Sequence, residues 1–122
     1  MTQHSDSIYL GHMLDHAREA LAILGENSRG SLAESRILQL ALLHLAQIIG
    51  EAASKVSPAT RAELSQLPWR GMVGMRNRIT HGYDTVDTGV LWDTLKHDLP
   101  ELIGMLEACL PRWDDRQGKP DE

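Results

Sequence analysis

Residues 31–56 read SLAESRILQLALLHLAQIIGEAASKV, and this stretch decides the fold. Leu38, Ala41, Leu42, Leu45, Ile48, Ile49, Ala52 and Ala53 recur at the three- and four-residue intervals of a helix face. The segment is apolar around much of its circumference, which predicts a long, central, buried helix. Ser31 followed by Glu34 forms a capping-box start, and Ser57-Pro58 stops the helix. His44, inside the apolar run, is expected to be a buried, hydrogen-bonded histidine. Glu51 is expected to need a partner, an arginine of a later helix, because an unpaired carboxylate in apolar surroundings is unfavourable.

Upstream, Leu10, Leu14, Ala17, Leu21 and Leu24 predict a helix over 7–24, capped by Ser5 or Ser7 and closed by Gly25. Downstream, 57–67 can hold at most a short helical turn or two. Pro68 suits a first helical position. The helix it opens carries Met72, Met75 and Ile79 on one face and ends at Gly82. Asp87 can cap the last element, whose Leu91, Leu95, Leu99, Leu102, Leu106 and Leu110 form a stripe with a kink or break at Pro100. No stretch alternates like a strand and nothing repeats. The expectation is an all-α, antiparallel bundle of four to five helices occupying residues 1–112, followed by a disordered charged tail over 113–122.

Composition agrees with one domain. The chain has 122 residues, 42% hydrophobic and 24% charged, with no Phe, so Leu, Ile, Met and Ala must fill the core. Those residues favour helix because they lose little side-chain freedom there. One cysteine, Cys109, excludes an internal disulfide and reads as a small buried residue of the last helix. The N-terminus lacks the plan of a signal peptide, and no uncharged run has the length of a membrane span, so a cytoplasmic protein is expected. The net charge of −5 argues against general tracking along nucleic acid. Yet Arg61, Arg70, Arg76 and Arg78 face only Glu63 between residues 61 and 83, a basic island suited to a local anionic ligand.

Few side-chain sets could carry chemistry. His12 and His16 stand one turn apart, but two ligands do not make a metal site and no Cys or HExxH pattern completes it. A solvated polar face is the reading there, and neither metal nor cofactor is expected. The run Arg76-Asn77-Arg78-Ile79-Thr80-His81-Gly82-Tyr83 is different. On a continuous helix Asn77 and His81 share a face, with Arg78 beside them, so Asn77 can orient the imidazole. Arg76 would then lie about 140° around the helix from His81. Either the last turn unwinds, or Arg76 serves the His81 of a second copy across a two-fold axis.

The run Arg76-Asn77, three residues, His81, one residue, Tyr83 resembles the motif of HEPN-domain ribonucleases. Residues 71–83 with Val86-Asp87 and Leu91-Trp92 resemble the HepT branch of that superfamily, as do Ile49-Gly50-Glu51-Ala52-Ala53 and the segment Tyr9 to Asp15. The likeness runs from about Ile8 to Leu110, with Asp15 where these proteins often carry glutamate. It implies a toxin of a toxin–antitoxin pair, acting as a homodimeric, metal-independent ribonuclease on an RNA substrate. Arg76 and His81 would be catalytic, with Asn77 and Arg78 in support. It also implies a partner antitoxin, a nucleotidyltransferase of the MNT type, that blocks the toxin by transferring AMP to Tyr83. The competing expectation is a non-catalytic helical binding module, or a subunit of a nucleotidyltransferase complex, for which Tyr83 is only an anchor or substrate.

Overall fold

The computed structural model describes residues 3–83 and 85–117. Among these residues, eight α-helices and one two-stranded hairpin make up an all-α architecture. Helix α1 spans Gln3–Leu24 and ends where Gly25 takes a φ of +50°, a conformation that favours glycine. Next come α2 (Arg29–Glu34) and α3 (Arg36–Lys55). The single helix expected over 31–56 is thus two. Ser28 Oγ, not Ser31, accepts the first-turn amide that caps α2, from Ser31 N at 3.1 Å. Ser35 leaves the helical region (φ −107°, ψ 100°), and its hydroxyl accepts from Leu38 N at 3.1 Å to start α3. The buried Gln39 amide donates to the Leu32 and Ala33 carbonyls at the end of α2, joining the Ser35 N–H on Leu32.

Asp6, near the start of α1, lies against Ser57, just past the end of α3, so these helices run antiparallel. The Asp6 carboxylate accepts from Ser57 N (2.9 Å), Ser57 Oγ (2.6 Å) and the Thr60 hydroxyl. Burial pushes its pKa up, but these hydrogen bonds, led by the Ser57 hydroxyl, outweigh burial and hold it below the ordinary 3.8. A depressed carboxyl stabilises the fold above its unfolded pKa and loses that contribution as pH falls through the lower, folded one. Thermal melts should therefore show the wild type losing stability more steeply below about pH 4 than Asp6→Asn. Parallel curves would exclude this linkage.

Ser57 also caps α4 (Pro58–Glu63), the short turn expected there. Arg61 from α4 donates to the Ala53 and Val56 carbonyls at the end of α3. Helix α5 (Trp69–Val73) stops at Gly74 and α6 (Met75–Ile79) begins immediately. The helix expected to run unbroken from Pro68 to Gly82 is therefore two short ones, and it ends three residues early. Strands β1 (Thr80–His81) and β2 (Thr85–Val86) then pair antiparallel, Thr80 opposite Val86 and His81 opposite Thr85.

Asp87 caps α7 (Thr88–Asp93) as expected, accepting from Val90 N at 3.0 Å. The interruption expected at Pro100 takes the form of a π turn placed just before it. A π-helical turn over Thr94–Asp98, with Leu99 N donating to Thr94 O, widens the helix just before Pro100, and α8 (Leu99–Gln117) continues from it. Of the tail expected from 113 on, 113–117 continue α8 and 118–122 lie outside the described residues. Arg18 pairs with Glu107 at 2.6 Å while Leu21 and Leu24 line one pocket with Leu95 and Pro100, which makes α8 antiparallel to α1.

The core lies between α1, α3 and α8, with Leu10, Met13, Leu42, Ile49 and Leu106 fully buried, and α5–α6 cover one side through Met72 and Ile79. Cys109 is buried on α8, as expected. Helix α3 can approach α5 closely only because residue 50 is glycine. A β-carbon there would stand 2.9 Å from the Met72 carbonyl oxygen and 3.2 Å from that of Val73. Among the described residues α3 is the one helix long and apolar enough to cross a membrane, and half of it is buried inside the bundle.

Candidate active site

The unwinding after Ile79 organises the motif. Ile79 is wholly buried and anchors the end of α6. Beyond it Thr80, Thr85 and Val86 are β-branched and favour extended backbone. Gly82, at φ +74°, supplies the reversal between them. The Ile79 carbonyl, freed from the helix, accepts from Asp87 N at 2.7 Å, closing the base of the hairpin. The Thr80 hydroxyl donates to the Arg76 carbonyl at 3.1 Å, alongside the Thr80 N–H.

The last turn does unwind, after Ile79. The Arg76 side chain, half-buried, reaches over the turn and donates from Nη2 to the Tyr83 carbonyl oxygen at 2.9 Å. The tyrosine ring beyond it is 92% exposed at the tip of the hairpin. His81 is not in the last turn of a helix, so the helix-face partnership with Asn77 is not formed. Instead His81 Nε2 meets Asp87 Oδ2 at 3.3 Å across the hairpin. The Asp87 carboxyl sits below the usual carboxylate range, first because Val90 N–H donates to it and then through His81. It is therefore the acceptor in this contact, and His81 Nε2 carries the hydrogen.

Arg78 is turned away from this site. Its Nη1 donates to the Gly71 carbonyl at 2.9 Å and its Nη2 lies 3.7 Å from Asp98, beside a second groove formed with Met72, Met75 and Leu102. Since Arg61 serves the end of α3, the basic island divides, leaving Arg76 and the exposed Arg70 outside those pairings.

Arg76 and Asn77 also line a groove of about 370 Å³ whose other wall is α3, through Gln47, Gly50, Glu51 and Ser54. Glu51 is exposed in this groove and has no arginine partner among the described residues; Gln47 Nε2 donates to its Oε2 at 3.2 Å. His44 is exposed as well, because it points away from the core on the outer side of α3. His16 Nδ1 bonds the His12 carbonyl at 2.8 Å, and among the described residues no three His, Cys, Asp or Glu side chains gather as metal ligands. Sequence reasoning missed Asp87 as the partner of His81 and Gln47 as part of the groove. The signal for Asp87 was Gly82 between β-branched residues, which marks a hairpin as readily as a helix end. For Gln47 it was the four-residue step to Glu51.

A helical bundle that closes an arginine, a histidine and a tyrosine over one helix-to-hairpin transition defines a small all-α protein of the HEPN-like type. The model of the family described as "Ribonuclease HepT-like" matches residues 13–109, and the chain belongs to that family. It is 34% identical over 98 residues to the Probable ribonuclease HepT of Thermococcus cleftensis, covering 77% of this chain and 89% of the relative. It is 26% identical over 102 residues to the Putative RNase MJ1380 of Methanocaldococcus jannaschii, covering 84% and 94%. The Putative RNase TTE0752 of Caldanaerobacter subterraneus subsp. tengcongensis is 29% identical over 104 residues, covering 85% and 93%. No solved structure matches the chain.

Proposed function

We propose that the protein is an endoribonuclease that cuts RNA by internal transesterification, and that it is the toxin of a toxin–antitoxin pair. The observation that carries this reading is the helix-to-hairpin transition, which ties the Arg76 guanidinium to the Tyr83 carbonyl and holds His81 against Asp87 across the same hairpin. In this scheme His81 Nδ1 takes the proton of a ribose 2′-hydroxyl, and the 2′-oxygen attacks the adjacent phosphorus. The bond to the 5′-oxygen breaks, and that oxygen leaves with a proton. Arg76 stabilises the charge that builds on the phosphoryl oxygens. Asp87 holds the ring in its working tautomer. In a two-fold dimer the partner's His81 supplies the second proton. Arg78, committed to Gly71 and Asp98, is left out of the chemistry.

Because the substrate brings its own nucleophile, the scheme needs no metal ion. Purified protein should release 2′,3′-cyclic phosphate and 5′-hydroxyl ends from single-stranded RNA at the same rate with and without EDTA. Products with 3′-hydroxyl ends, or activity abolished by EDTA, would contradict it.

The exposed phenol of Tyr83 suits a point of control. An AMP transferred to it by an MNT-type nucleotidyltransferase would place a phosphodiester charge beside Arg76 and His81 and exclude RNA. The second reading, a non-catalytic binding module, draws on the net charge of −5, since RNA binding is electrostatically demanding.

A further inference from the structure

Glu51 is out of place in an anion-binding cleft. It faces the same groove as Arg76 and Asn77, where it would repel a phosphate, and no arginine among the described residues neutralises it. Its geometry is nonetheless organised. Gln47, one helical turn earlier, donates to Oε2 and so orients the carboxylate, leaving Oε1 as an acceptor directed by the pair. The Gln47 amide oxygen is a further acceptor. Opposite them Val73, an exposed apolar residue, contributes an apolar surface to the groove. An oriented carboxylate, an amide oxygen and an apolar wall beside a guanidinium match one class of ligand: a nucleotide whose base edge presents adjacent donors. Guanine alone among the RNA bases offers two, N1–H and N2–H, side by side. Adenine and cytosine pair a donor with an acceptor, and uracil flanks one donor with two acceptors.

We propose that the groove between α3 and α5–α6 is a guanine-preferring subsite that seats the base next to the phosphate held by Arg76. The proposal rests on the ribonuclease reading for its placement beside a scissile bond, but base recognition itself does not require cleavage. The volume of about 370 Å³ lies at the lower end of small-ligand sites, fitting one nucleotide and not a duplex. Glu51→Gln makes a specific alteration. The new amide oxygen still accepts from Gln47, and its NH2 stands where the free carboxylate oxygen stood. That donor–acceptor pair matches adenine or cytosine and no longer guanine.

The test measures binding of the four nucleoside 3′-monophosphates to the full chain by NMR titration, alongside cleavage of single-stranded RNAs that differ only at one base. Wild type should bind 3′-GMP roughly tenfold more tightly than 3′-AMP, with shifts at Gln47, Glu51 and Asn77. Glu51→Gln should erase or invert that ratio, and the ratio, not the total rate, is the readout. Equal binding of all four nucleotides overturns the subsite, as does a preference that survives Glu51→Gln. A substitution that changes the oligomeric mass and leaves the ratio alone assigns the groove to a subunit contact and overturns it too. Selective binding of 3′-GMP without RNA cleavage would keep the subsite and refute the ribonuclease; cleavage indifferent to base would do the reverse.

Discussion

Replacing His81 with alanine is expected to lower the rate constant for RNA cleavage by roughly 10²–10⁴-fold, the contribution of a positioned general acid or base. The side chain is 70% exposed, so its removal leaves no cavity and the melting temperature should barely change. That contrast separates chemistry from folding. Asp87→Asn should fall between the two proteins. Asparagine still caps α7, so the helix start is kept, while the carboxylate that selects the Nε2–H tautomer is lost. A loss of about tenfold is expected, with imidazole ¹⁵N shifts reporting a mixed tautomer. In cells, induced wild type should arrest growth with loss of RNA, and His81→Ala should not. Full activity of the alanine protein, or equal toxicity of both, would favour the binding-module reading.

The largest effect on stability is expected at Ile79. Its side chain is completely buried, and it is the last helical residue before the hairpin. Ile79→Ala should destabilise the protein by about 2–5 kcal/mol, from lost burial and the cavity left behind. A domain of this size holds about 5–15 kcal/mol in all, and at about 4 °C per kcal/mol Tm should fall by roughly 8–20 °C. Ile37→Ala is the control: the same residue type on α3, 83% exposed, should change stability by less than about 0.5 kcal/mol. Ile79→Ala should also depress cleavage well below its Tm, because Ile79 seats the carbonyl that closes the base of the hairpin. A loss under about 1 kcal/mol would mean that the motif is not tied to the core in this way.

The three main helices were legible because their apolar spacing extends over many turns. So were the stop at Gly25, the cap at Asp87 and the burial of Cys109. The breaks were not. Ser35 sits inside an apolar pattern that runs straight through it, and only the competing caps from Ser28 and Ser35 reveal two helices. Pro100 announced an interruption, but a π turn absorbs a proline as well as a break does, and composition does not choose between them. At the candidate site, residue types were legible and partners were not. Gly82 reads equally as a helix end and as a hairpin turn, and that choice moved His81 from Asn77 to Asp87. His44 was expected to be buried, and Glu51 to need an arginine, because their neighbours are apolar; helix rotation placed both on the outside.

The guanidinium of Arg76 is tethered to a peptide oxygen of residue 83, not to its phenol. A main-chain acceptor is blind to the side chain it belongs to, so codon 83 can drift without loosening that tether. Under the control proposed above, catalysis and restraint are therefore separately heritable. One missense change at position 83 would free the enzyme from adenylation yet keep its cleft intact, whereas mutations at Arg76 or His81 would disarm it. Under that control, selection keeping a tyrosine at position 83 would have to come from the benefit of being restrained.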